Sequence, residues 1–142
     1  MVRLILEVLG ASLLLAAVGF AQTTVPVIQT TAGKIQGKAL SAATNAYLNI
    51  PFAQPPIGPL RFLAPRPILT PLTQRNGTAF GNSCIQLAAP TPIYTVESED
   101  CLYLNVFTSP SASNKLRPVF VWLYGGGWNS GTASGYCTSS TL

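Results

Sequence analysis

Nine of the twelve prolines of this chain fall between Pro51 and Pro92. Proline has no amide hydrogen and its ring clashes with the preceding helical turn, so a stretch this dense in it excludes helices. Residues 51–92 therefore read as an extended connector, punctuated further by Gly58 and Gly81. Strand-like pieces flank it. From Val25, the run VPVIQ, TTAG, KIQGK predicts a hairpin with Gly33 at its turn. AYLNI stops at Pro51, and LYLNVF (102–107) predicts a strand apolar on both faces. VFVWLY (119–124) follows Pro118, and its near-continuous apolar character fits a strand buried on both sides, as in the centre of an α/β sheet. No amphipathic helix after residue 21 could cover such a sheet, which points to further chain, and there is no internal repeat.

The first 21 residues read as an export signal. Arg3 gives a positive start, Val8 to Val18 an apolar core broken only upstream by Glu7, and Gly19 with Ala21 a small-residue pair before Gln22. Cleavage is expected after Ala21, leaving a secreted, extracellular chain. The uncharged run from Val8 to Ala21 is shorter than the roughly 20 residues of a spanning helix, so no transmembrane anchor is expected.

The 142 residues contain no histidine. They therefore cannot hold a complete Ser-His-Asp or Cys-His site, and they lack the commonest neutral-pH base and metal ligand. The basic residues after residue 21 (Lys34, Lys38, Arg61, Arg66, Arg75, Lys115 and Arg117) are scattered, without the clustering of a nucleic-acid footprint. No nucleic acid is expected as a partner.

In an exported chain, cysteines pair by default. Cys84 and Cys101 flank a Pro-containing loop that a disulfide would clasp, stabilising by roughly 3 kcal/mol on the chain-entropy model. Cys84–Cys137 and Cys101–Cys137 are the competing pairs. Three cysteines without histidine or Cys-x-x-Cys spacing argue against zinc, and no metal site is expected. Asn76-Gly77-Thr78 is an N-glycosylation sequon in a polar turn, with Asn76 as the glycan acceptor.

Tyr124-Gly125-Gly126-Gly127-Trp128 follows the apolar run directly. Glycines at a strand exit permit unusual backbone angles and leave amide hydrogens unobstructed, and two such amides aimed at one point can hold an oxyanion. A phosphate loop would need a lysine that is absent, and a dinucleotide fingerprint would need glycine where Ser130 stands. A plain flexible turn is the third reading.

Four phrases in order, GKIQG, AYLNIPFAQPPIGPLRFLAP, SEDCLYLNVF and PVFVWLYGGGW, resemble the N-terminal part of type-B carboxylesterases, over about residues 25–135. That α/β-hydrolase family contains cholinesterases, secreted carboxylesterases and fungal extracellular lipases. The resemblance implies an α/β fold of which residues 22–142 are the N-terminal portion, the opening hairpin and first central-sheet strands of an incomplete sheet. It implies that Gly126 and Gly127 supply two backbone N–H donors of the oxyanion hole, the third coming from the residue after a nucleophile that these residues do not contain. It implies a Cys84–Cys101 disulfide and a structural, buried ion pair between Arg61 and Glu99.

Three departures bear on substrate and fold. Asn49 stands where the family usually has Gly, and Asn tolerates the left-handed turn. Trp128 replaces the usual Phe, expected to reshape a pocket wall. The loop between Cys84 and Cys101 has no Trp, where cholinesterases place their choline-binding one. No G-x-S-x-G elbow occurs, since Ser130 (GWNSG) and Ser134 (GTASG) are each one step off register. The expectation is a fragment of a secreted carboxylic ester hydrolase, inactive alone and needing no cofactor, whose whole protein takes small-molecule or lipid esters such as acyl glycerols or aryl esters. The alternative is a non-catalytic, esterase-like binding or adhesion protein, or a non-functional truncated product.

Overall fold

A computed structural model describes residues 25, 27–31, 33–69, 72–87, 95–110 and 115–136. Eight strands and two short 3-10 turns are present, and no α-helix occurs among the described residues. The expected hairpin is the first element pair. Strand β1 (Val27–Thr30) runs antiparallel to β2 (Gly33–Gln36), in register from Val27 opposite Gln36 to Thr30 opposite Gly33. Gly33 has φ 112°, a conformation that favours glycine.

A second sheet has the order β3–β4–β8, with β4 (Thr44–Pro51) antiparallel to both β3 (Lys38–Ser41) and β8 (Tyr103–Thr108). Pairing on both edges gives β4 the core of the chain: Ala46, Tyr47, Leu48 and Ile50 are buried and Ile35 joins them from β2. The two sheets are sewn together at Gly77. Its amide donates to the Gln36 carbonyl at 2.7 Å and its carbonyl accepts from the Leu48 amide at 2.8 Å. A methyl group there would come within 2.6 Å of the Ile35 side chain, so only glycine lets three backbones meet.

Two expectations need correction. The proline-rich connector contains a strand, β5 (Leu72–Asn76, LTQRN), paired parallel to β2. Its composition carries no apolar alternation, and the parallel partner 39–40 residues upstream decides its conformation. LYLNVF does form a strand, β8, on which Leu104 and Val106 are exposed. VFVWLY is extended but joins no sheet, and Val119 to Tyr124 are all exposed. Its composition suits a strand with neighbours and cover layers, and neither occurs among the described residues. Two short strands complete the set, β6 (Ser83–Cys84) and β7 (Glu97–Ser98), paired in parallel next to the disulfide.

Residues 1–21, Cys137 and the middle of the Cys84–Cys101 loop (88–94) lie outside the described residues. No described helix is long and apolar enough to cross a membrane.

Candidate functional site: a glycine loop held by its own carbonyls

The extended run ends at Tyr124, and the chain then turns back on itself over residues 125–131. Gly126 has φ 146°, Gly127 φ 62° and Gly131 φ 109°. Space as well as angle demands glycine at two of these. A methyl on Gly126 would overlap the Ser130 carbonyl, and one on Gly131 would overlap the Gly125 carbonyl. The two legs of the loop are therefore in backbone contact.

Three donors converge on the Gly126 carbonyl oxygen: the Ser130 amide at 3.1 Å, the Asn129 amide at 3.3 Å and the Ser130 hydroxyl at 3.0 Å. A trans peptide is planar, with its C=O and N–H pointing in opposite directions. Fixing the Gly126 carbonyl inward thus turns the Gly127 N–H outward. The same logic applies one peptide earlier, where the Gly125 carbonyl faces Gly131 and the Gly126 N–H points the other way. Neither amide donates to any described residue. The loop turns these two carbonyls inward and leaves the Gly126 and Gly127 amides on offer.

The return leg is anchored to the segment after β6. The Gln86 carboxamide accepts from the Gly131 amide at 2.6 Å, while its Nε2 donates to the carbonyls of Gly131 and Cys84, each at 3.1 Å. One residue on, the Thr132 hydroxyl meets the Ser83 hydroxyl at 2.7 Å and the Ser134 hydroxyl at 3.1 Å. Ser83, Thr132 and Ser134 are all buried, so their hydroxyls satisfy one another. Ser134 is thus a structural hydroxyl. The Cys84–Cys101 disulfide closes the same region, with the Cα atoms 5.0 Å apart. Sequence reasoning missed Gln86 and this hydroxyl cluster, because the partners lie 45 and 49 residues apart and share no spacing signal.

The other predicted residues lie elsewhere. Arg61 Nε and Glu99 Oε1 are 2.7 Å apart, but the side chains are 50% and 38% exposed, so the pair is half-open where a buried one was expected. Its turn lies on the surface. Trp128 is fully exposed with φ 66°, so its indole forms no wall among the described residues. Asn76 is exposed at the end of β5, its Oδ1 accepting from the Thr78 amide at 3.0 Å and hydroxyl at 2.7 Å. No group of three or more His, Cys, Asp or Glu positioned for a metal occurs among the described residues. A cavity of about 290 Å³ lies between Thr30, Ile50, Phe52, Pro67, Ile68 and Leu104, with no residue of the glycine loop in its wall.

A family model described as the carboxylesterase family matches residues 24–142. Among curated proteins, rat (Rattus norvegicus) liver carboxylesterase 1F is 38% identical over 129 residues, covering 78% of this chain and 23% of its own. Chicken (Gallus gallus) acetylcholinesterase is 40% identical over 125 residues, 77% of this chain and 16% of its own. A thermophilic PNB esterase structure superposes with a TM-score of 0.69 at 34% identity, covering 77% of this chain and 23% of that one. The chain therefore spans less than a quarter of each of these relatives.

Proposed function

The chain belongs to the carboxylesterase family, and on that premise we propose that it contributes the oxyanion-binding loop of a secreted carboxylic ester hydrolase. The observation that carries the proposal is the pair of amides at Gly126 and Gly127, turned outward by carbonyls held inward. In this reading a serine from the remainder of the protein attacks the ester carbonyl, a histidine takes its proton, and the two amides stabilise the oxyanion of the tetrahedral intermediate. Donors already fixed by the loop's own hydrogen bonds need no reorganisation as charge develops, which is what makes such a hole effective.

Substrate choice follows from what the 84–101 loop offers. It has no Trp, the best face for a quaternary ammonium, and so favours neutral acyl or aryl esters over choline esters. Export fits the apolar leader and the disulfide, and Asn76, exposed with its sequon threonine folded against it, is the proposed glycan acceptor. A mass shift on N-glycosidase treatment, absent in Asn76→Gln, checks that assignment.

The enzyme reading is tested with the full-length protein that contains this chain. It should hydrolyse p-nitrophenyl butyrate and carry a G-x-S-x-G serine and a histidine beyond Leu142, while residues 22–142 alone turn over nothing. A full-length protein lacking those residues would favour the binding or adhesion reading.

A further inference from the structure

We propose that Gln86 is a positioning residue for the oxyanion loop. The inference rests on the reading of Gly126 and Gly127 above. Both outward amides owe their direction to carbonyls that face the return leg of the loop: Gly126 O is held by Asn129 and Ser130, and Gly125 O packs on Gly131. The aim of the donors is therefore only as fixed as residues 130–131. Gly131, at φ 109° and without a side chain, has no means of holding itself.

Gln86 supplies the hold. Its carboxamide grips the amide and the carbonyl of Gly131 together, and the same Nε2 reaches the Cys84 carbonyl. Two contacts to one residue restrict rotation as well as distance. Cys84 is bonded to Cys101, and the preceding Ser83 holds Thr132 through its hydroxyl, so the clamp stands on a cross-linked base. Gln86 bonds neither outward amide. Its effect on chemistry passes through the loop. A small misplacement of fixed groups in an active site can cost up to about a hundredfold in rate, so loosening this leg should lower turnover rather than substrate binding.

The test uses the full-length protein with p-nitrophenyl butyrate, measured well below the unfolding midpoint with the folded fraction checked by circular dichroism. Gln86→Met keeps the length of the side chain and removes all three hydrogen bonds. Its kcat should fall about ten- to a hundredfold while KM stays within about threefold. Gln86→Glu keeps the acceptor for the Gly131 amide and loses both donated bonds, so its kcat should lie between Met and wild type. A kcat loss no greater than the loss of folded protein, or a rise in KM with kcat unchanged, overturns the assignment. Replacing the Gly126 amide by an ester linkage in the same protein separates the two ideas. If that change lowers kcat and Gln86→Met does not, the clamp alone is wrong; if neither does, the oxyanion reading falls with it.

Discussion

Asn49 adopts φ 57° where β4 shifts register between Tyr47 and Ile50, and its side chain uses that turn. Its Oδ1 accepts from Arg75 Nη2 at 2.9 Å and its amide donates to Asn105 Oδ1 at 3.0 Å, tying β4 to β5 and β8. Arg75 then lies 4.9 Å over the Tyr103 ring, and the Tyr103 hydroxyl donates to Asp100 at 2.6 Å. Asn49→Ala loses the acceptor and strains the backbone, and should destabilise the full-length protein by about 1–3 kcal/mol in urea unfolding. Asn49→Gly should cost less, because it relieves the backbone term. Equal costs would show that the left-handed angle plays no part. Burial, and then the hydrogen bond to Asp100, raise the Tyr103 phenol above its ordinary 10.0. The folded state thus holds this proton more tightly than the unfolded state. Its contribution is whole below pH 10.0 and is lost as pH rises from there through the folded value. Tyr103→Phe should flatten the alkaline fall in stability, with the part due to the similarly raised Tyr47 remaining.

At the scale of elements, sequence separation decides what could be read in advance. The β1–β2 hairpin was legible because its turn glycine lies between two apolar runs a few residues apart. The glycine loop was legible as a cluster, but the reason its amides face outward was not. That reason lies in donors to the Gly126 carbonyl and in Gln86, which no local pattern announces. Strand β5 was hidden for the same cause, its polar LTQRN becoming a strand through β2. The disulfide belongs to this scale too. Its 17-residue separation makes it worth about 3 kcal/mol on the chain-entropy model. Cys84→Ser with Cys101→Ser should lower the unfolding free energy in urea by that amount and loosen the Gln86 anchor beside it. Unchanged amide-exchange protection at Gly131 in the double variant would contradict that coupling.

For the whole molecule, the apolar surface is the governing fact. Val119, Phe120, Val121, Trp122 and Leu123 are more than half exposed in an extended segment without strand partners among the described residues, and Leu104 and Val106 of β8 are exposed too. Unpaired edges of this composition associate. Residues 22–142 alone should aggregate or melt without cooperativity, and a sharp monomeric transition would contradict this. The family match and the short share of each relative fit the same picture, an opening part of an α/β-hydrolase fold whose sheet is incomplete. On the proposed reading, outward peptide hydrogens, and not side chains, are what this segment brings to the reaction. Ester replacement of the Gly126 amide in the full-length protein removes one such hydrogen and alters only the Gly125 carbonyl, which accepts from no described residue. A drop of about 10²- to 10³-fold in kcat on p-nitrophenyl butyrate, with KM nearly unchanged, is the result predicted. Wild-type turnover from that protein would contradict the account.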